Sequence, residues 1–252
     1  MKKGILYVVL SGLCFLIVNL IVKLFSGDLS LGQIDLQPLP AHELVLSRSI
    51  VSFVLSSIII YRKGLPFFGV NKKWLIIRGT AGTIALTLFF MTIQNMPFAV
   101  AAVIQYLAPI FTMIFTFLLL GERIFRIQWL FVSLAFFGVC LISLQNYTLD
   151  YVGLYFEPYW IGLGILSASI SGIAYTAIVK LKYTDEPISI VLYFPMISIP
   201  FMVLFCLFEF VMPVGIEWLL LLLVGVFTQF AQILLTKALH LGSSSLIIPF
   251  QY

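Results

Sequence analysis

Apolar runs of about twenty residues, the length of a helix that crosses a bilayer, follow one another along this chain. The first begins at Gly4 and the last begins near Ser244, with short polar breaks between them. Of 252 residues, 62% are hydrophobic and only 10% are charged, so a water-soluble fold would expose large apolar patches. The pattern therefore predicts one all-α polytopic membrane protein and excludes a soluble domain.

The breaks between the runs contain Gly, Pro, Asn and Asp, which favour turns and allow the spans to be delimited. The predicted spans are 4–25, 42–61, 74–94, 98–120, 127–146, 160–180, 188–211 and 217–238, with a ninth beginning near Ser244. Short connections of this kind predict antiparallel neighbouring helices.

Basic and acidic residues separate into alternate gaps, as the positive-inside rule requires. If the N-terminus is cytoplasmic, the gaps on its side hold Arg62, Lys63, Lys72, Lys73, Arg123, Arg126 and Lys182. The opposite gaps hold no Lys or Arg and contain Asp28, Asp35, Asp150 and Glu157. One missed or extra span would mix the two sets. The alternation predicts a cytoplasmic N-terminus, and it explains the net charge of +4 without a nucleic-acid partner.

The chain also resembles itself, with most matches at an offset of 146 positions and one at 157. A shift of 146 positions places 92–106 (TIQNMPFAVAAVIQY) over 238–252 (ALHLGSSSLIIPFQY), and Gly79 over Gly225. The run IVKL at 21–24 recurs at 178–181. Together these matches pair the first span with the sixth, the third with the eighth and the fourth with the ninth. The repeat unit is then five helices, and an odd number requires two halves of inverted orientation, an architecture recurrent in secondary transporters.

Short motifs in the first half resemble the EamA family of the drug/metabolite transporter superfamily. They are PFAVAA at 97–102, YLAP at 106–109, LGER at 120–123, and Glu43-Leu44 with Arg48 in the second span. The resemblance implies ten helices in two five-helix repeats. It also implies a transporter of small metabolites or drug-like solutes, often an exporter.

The two repeats are expected at 1–146, spans one to five, and at 160–252, spans six to eight with the start of the ninth. About eight and a half of the ten expected spans are then present, so the second repeat is incomplete. By the repeat, the ninth span should continue ~14 residues beyond Tyr252 and a tenth should follow.

Four basic residues fall within or at the ends of predicted spans. Arg48 lies about two turns inside its span, where a charge is costly and indicates either a functional role or an ion pair with another helix. We expect Lys23, Arg78 and Lys237, each within about one turn of a membrane face, to extend their charged ends to the headgroups.

Symmetry suggests where a solute would bind. The pairs Gln105-Tyr106 and Gln251-Tyr252 occupy equivalent positions in the two repeats, each about two turns inside its own face and each beside a proline. Glutamine offers a donor and an acceptor, and tyrosine adds an aromatic wall with a hydroxyl, which suits a small polar or zwitterionic solute. The alternative is that these side chains only hydrogen-bond to neighbouring helices.

Four further uncharged polar residues lie deep in the spans and need partners, either in a solvated cavity or across helices. They are Asn19, Tyr175, Gln229 and Gln232. We include them as candidate substrate-binding residues.

Other function classes are less consistent with the sequence. A metal-dependent intramembrane enzyme lacks ligands, because His42 and His240 are the only histidines and no second histidine follows His42-Glu43 at the zinc-site spacing. A channel, or a receptor or scaffold that does not transport, stays open as the alternative. We expect no cofactor and no metal, a small-molecule solute and the lipid bilayer as partners, and leave a homodimer open. The expected location is a bacterial plasma (inner) membrane.

Overall fold

A computed structural model of the chain describes residues 2–26, 36–121 and 158–241, with isolated positions between 129 and 141. Within these ranges the secondary structure is helical, without strands. The helices are α1 (Lys2–Leu24), α2 (Ala41–Lys63), α3 (Lys72–Asn95), α4 (Phe98–Gln105), α5 (Leu107–Leu120), α6 (Pro158–Leu181), α7 (Pro187–Cys206) and α8 (Glu217–Leu241). Seven segments are long and apolar enough to cross a membrane, with α4 and α5 counted together. The prediction of a polytopic all-α protein agrees with this finding.

The helix bounds follow the sequence signals closely. Gly64 and Gly121 stop α2 and α5 because each adopts a left-handed conformation, with φ of 61° and 69°, that costs glycine little. The predicted spans 127–146 and from Ser244 lie outside the described residues. The described spans are therefore the first four and the sixth to eighth.

One predicted bound is wrong, because α7 ends at Cys206 and not at residue 211. The segment after it is held to the beginnings of two helices instead of continuing the helix. The Val211 N–H donates to the Glu43 carboxylate at 2.5 Å, and the Val214 N–H donates to Glu217 at 2.7 Å. Pro213 supplies no N–H for a further helical turn.

Hydrogen bonds hold together the segments that connect the helices, at two opposite ends of the bundle. At one end, Glu217 accepts a hydrogen bond from the Gln37 N–H at 2.7 Å, and a ring nitrogen of His42 lies 2.8 Å from the Glu209 carbonyl. At the other end, the Asp185 carboxylate accepts from the Val70 N–H at 2.5 Å. The connection after α2 thus meets the connection after α6, as the predicted alternation of gaps requires.

Packing joins the first-half helices to the second-half helices. The main contacts are α3 with α6, α1 with α8, α2 with α7 and α5 with α6. At Gly79 the backbones come close, because a Cβ there would lie 2.7 Å from the Tyr193 carbonyl oxygen of α7. Without a hydrophobic force between helices in lipid, such close backbone approach supplies much of the packing energy.

Large apolar side chains cover the outer surface of the helices. Examples are Leu6 and Leu20 on α1, 55% and 48% exposed, and Phe201 on α7, 52% exposed. In water this would be an unstable surface, whereas in a bilayer these side chains face hydrocarbon.

Candidate functional site

A cavity of about 480 Å³ lies in the middle of the bundle and receives lining residues from all eight described helices. Most of its lining is apolar, including Phe89, Phe90, Phe98 and Phe194. The polar lining residues are Ser11, Asn19, Arg48, Arg78, Gln105, Tyr106, Ser171, Tyr175 and Gln232. A mostly apolar cavity of this volume with a few converging polar groups is typical of a small-molecule site.

The fourth predicted span is interrupted where it meets this cavity. It consists of α4 and α5, which are separated at Tyr106. Pro109 has no N–H to donate to the Gln105 carbonyl, and its ring crowds that carbonyl, so the regular helical pattern is broken at this turn. The break places Gln105 and Tyr106 in the cavity wall.

The Gln105 side chain is oriented by α6. Its Nε2 donates to the Ser171 hydroxyl at 3.3 Å, and Ser171 itself lines the cavity. This bond crosses from the first half of the chain to the second. Gln105 is therefore both a link between helices and a polar group that faces the cavity.

Arg78 lies in the cavity wall, so the expectation that it extends to the membrane surface is wrong. It is 2% exposed, and its Nη2 donates to the Gln232 Oε1 at 2.8 Å. A polar acceptor on α8 and the other polar groups of the cavity wall hold the guanidinium inside more favourably than a long path to the headgroups.

The same correction applies to Lys23, which is 7% exposed and donates from Nζ to the Met96 carbonyl at 3.3 Å. That carbonyl, at the end of α3, replaces the expected lipid headgroup. Lys237 is exposed, as predicted.

Arg48 is the most deeply buried charged side chain of the cavity, at 1% exposure. Its Cζ lies 4.9 Å from the ring centroid of Phe194 and 5.9 Å from that of Phe90. The Cζ of Arg78 lies 5.7 Å from the same Phe194 ring. Two cations from different helices thus share one aromatic ring, whose face attracts each of them although the two like charges repel one another.

The structure brings together most of the residues that the sequence singles out. Five of the eight candidate substrate-binding residues line the cavity: Gln105, Tyr106, Asn19, Tyr175 and Gln232. Gln229 is outside the lining, where it accepts from the Ser52 hydroxyl and donates to Ser56 at 2.7 Å. Gln251 and Tyr252 lie outside the described residues.

Sequence reasoning treats Arg48 as a minor candidate and gives Arg78 no role in the site. A signal for both is present, because an ionisable residue inside an apolar run indicates a functional position by default. Counting the distance of Arg78 from the end of its span is misleading, because α3 is packed between other helices and Gln232, the acceptor for Arg78, is inside the protein.

Comparison with known proteins identifies the family to which a chain with this cavity belongs. The model of the EamA-like transporter family matches residues 2–144, more than half of the chain. A solved crystal structure of another protein has the same fold, with a TM-score of 0.73 at 17% sequence identity, covering 99% of this chain and 83% of that one. The resemblance drawn from the motifs is thereby confirmed.

Several curated relatives are transporters by name. The pseudopaline exporter CntI of Pseudomonas aeruginosa is 29% identical over all of this chain and 84% of its own length. The riboflavin transporter of Vibrio cholerae is 26% identical over 99% of this chain and 80% of its own length. Solute carrier family 35 member G1 of Mus musculus is 26% identical, over 97% and 66% of the respective chains.

A family of transporters and relatives with transport functions point away from an enzyme. They agree with a bundle whose polar groups converge on a cavity within the membrane-spanning region. The chain belongs to the EamA-like transporter family and is an integral, multi-pass membrane transporter.

Proposed function

We propose that the chain is a secondary transporter, with two repeats of inverted orientation at 1–146 and 160–252, that moves a small metabolite or drug-like solute outward by alternating access. The observation that carries the proposal is the central cavity, whose wall is formed by helices of both halves. Relatives named as a pseudopaline exporter and a riboflavin transporter support a small organic solute, and the first supports export.

The pattern of helix contacts supports the inverted repeat. If α1 corresponds to α6 and α3 to α8, then the contact of α3 with α6 and the contact of α1 with α8 are the same contact seen from the two halves. Both are among the main contacts of the bundle. The contact of α2 with α7 then joins a helix to its own equivalent across the axis.

Close contacts of individual residues also occur at equivalent positions in the two halves. A Cβ added at Gly79 would lie 2.5 Å from Ile197, and one added at Gly225 would lie 2.5 Å from Val51. Gly225 follows Gly79 by 146 positions, and Ile197 follows Val51 by the same number. Two equivalent close approaches at equivalent positions are what a two-fold axis in the membrane plane would produce.

We place the solute between the interrupted segment at Gln105-Tyr106 and its equivalent, Gln251-Tyr252. The first pair lies in the cavity wall at a helix break, and discontinuous helices at a repeat interface commonly hold the substrate of a carrier. Asn19, Tyr175 and Gln232 add polar groups to the same cavity.

A flux measurement tests the carrier mechanism. The purified chain is reconstituted in liposomes and offered labelled amino acids, nucleobases and riboflavin, each with and without unlabelled solute on the opposite side. Saturable movement that is accelerated by counterflow is the expected result. Ion-like current at channel rates would instead support the channel alternative.

Gln105→Ala is expected to raise the half-saturation concentration of that flux about 2- to 10-fold, because one hydrogen bond to the solute is lost. Gln94→Ala is the matched control, since Gln94 donates to the Leu39 carbonyl and is absent from the cavity lining. If Gln105→Ala lowered thermal stability but left half-saturation unchanged per folded molecule, its role would be structural.

We further propose a cytoplasmic N-terminus in a bacterial inner membrane, on the basis of the charge separation between gaps. Single cysteines at Asp35 and Lys72, in a variant without Cys14, Cys140 and Cys206, test the orientation with an impermeant thiol reagent. We expect intact cells to label position 35 and to leave position 72 unlabelled until they are permeabilised. The reverse pattern would require the opposite orientation.

A further inference from the structure

Arg48 and Arg78 reach the centre of the cavity from opposite ends of the bundle. Arg48 is seven positions after the start of α2 and Arg78 is six positions after the start of α3, so their Cα atoms lie about 10 Å and 9 Å along helices of opposite direction. Their guanidinium groups nevertheless meet at the Phe194 ring. Both cations therefore converge on one part of the cavity wall, at Phe194.

The acidic residues that the structure describes are engaged or exposed elsewhere. Glu43 accepts from Val211, Asp185 from Val70, and Glu217 from Gln37, all at the ends of the bundle. Glu186 and Glu209 are exposed. The cavity lining contains neither Asp nor Glu among the described residues. By sequence, the other five acidic residues fall in the gaps or at the ends of predicted spans.

The hydrogen-bonding capacity of Arg48 is largely unused. Within the described part of the chain, its Nε and Nη1 have no hydrogen-bond partner, and the Nε of Arg78 has none either. A buried guanidinium without a carboxylate partner carries a desolvation cost that is not compensated by an ion pair. The protein bears this cost as long as no solute is bound. The aromatic rings offset part of this cost, but they cannot accept the two parallel N–H hydrogen bonds that a guanidinium can donate.

From this geometry we infer that the central cavity binds a small organic anion, with a carboxylate of the solute held by Arg48 and Arg78 and its apolar body against the phenylalanine wall. The planar guanidinium matches a carboxylate through two parallel N–H···O bonds. The aromatic lining, which includes Phe89, Phe90 and Phe194, favours an organic body over an inorganic oxyanion. The inference rests on the proposed function and specifies the class of solute.

The test uses matched acids and amides as probes. The purified full chain in detergent is heated with benzoate, indole-3-acetate or glutarate, with the neutral amide of each, and with inorganic phosphate. We expect at least one carboxylate to raise the unfolding midpoint saturably by several degrees, and its amide to leave the midpoint unchanged. Stabilisation by phosphate alone, by the amides equally, or by none of the carboxylates overturns the inference.

Arg48→Met separates a binding role from a structural one. Because the variant removes a buried charge without a carboxylate partner, the empty protein should unfold at the same or a higher temperature, while carboxylate affinity falls at least tenfold. Arg62→Gln, an exposed cation at the end of the same helix, is the control and should change neither. Arg48→Lys keeps the charge without the fork and should weaken binding several-fold.

Unchanged affinity in Arg48→Met, or in Arg48→Lys if the methionine variant does not fold, overturns the inference. The flux assay distinguishes this failure from that of the carrier mechanism. Saturable counterflow of a neutral or cationic solute alone would leave the carrier in place and exclude the anion. Arginine-dependent binding of a carboxylate without any flux would support the anion site and contradict the carrier mechanism.

Discussion

Gly82→Ala is expected to weaken carboxylate binding roughly 10- to 100-fold, the effect of losing one hydrogen bond from a charged group. Gly82 lies one turn after Arg78 on α3, and a Cβ at this position would overlap the Arg78 guanidinium. It would also lie 3.0 Å from Cδ2 of Phe194. The arginine must therefore leave its place beside Gln232. Affinity is measured by titrating the carboxylate that stabilises the parent chain most, with the unfolding midpoint as readout.

Gly162→Ala is the matched control for this substitution. Gly162 also lies within a helix, α6, but it is absent from the cavity lining and a Cβ there would meet no atom within 4 Å. Its affinity should equal that of the parent chain. The Gly82 variant should still fold, since the displaced group is the end of a flexible side chain. Equal affinities in the two alanine variants would show that the position of Arg78 does not matter for binding.

The helical spans could be predicted because a bilayer requires long apolar segments with internally satisfied backbones. The predicted span 74–94 corresponds to Lys72–Asn95, and 217–238 corresponds to Glu217–Leu241. The error at the end of α7 has a different origin. Apart from Glu209, the residues up to Met212 are apolar, but Glu43 from another helix accepts a hydrogen bond from the Val211 N–H, and such a tertiary contact leaves no periodic signal.

The candidate site could be predicted in part. A proline in an apolar span marks a weak point of the helix, so the position of Gln105-Tyr106 beside Pro109 indicates the interruption before the structure is known. The convergence of Arg48 and Arg78 cannot be derived in the same way. It depends on the packing of α2 and α3 against α7, where Phe194 lies more than a hundred positions away in the sequence.

Gln229 and Gln232 show the same limit of sequence reasoning on one helix. They are three positions apart in α8, and both are buried polar residues in an apolar run. Only the packing distinguishes them: Gln232 accepts from Arg78 in the cavity, whereas Gln229 joins Ser52 and Ser56 of α2. Their different partners predict different consequences when each is removed.

Gln229→Ala is expected to lower the free energy of unfolding by about 2–5 kcal/mol. Two interhelical hydrogen bonds in a membrane contribute roughly 0.6–1.7 kcal/mol each, and the void left by the side chain adds about 1–2 kcal/mol. Because Gln229 is absent from the cavity lining, carboxylate affinity per folded molecule should be unchanged. Unfolding in detergent, followed by the accessibility of the half-buried thiols of Cys14 and Cys206, measures the loss.

Gln232→Ala is expected to give the opposite result, with stability changed by less than about 1 kcal/mol and affinity reduced roughly 3- to 10-fold. Water in the polar part of the cavity can replace the lost amide oxygen, which limits the effect on stability. The Arg78 guanidinium, however, loses the acceptor that orients it towards the solute. The pair of variants thus tests the assignment of each glutamine directly. Comparable losses of stability in both, with affinity intact in both, would make Gln232 a packing residue and would leave Arg48 as the principal anion-binding group.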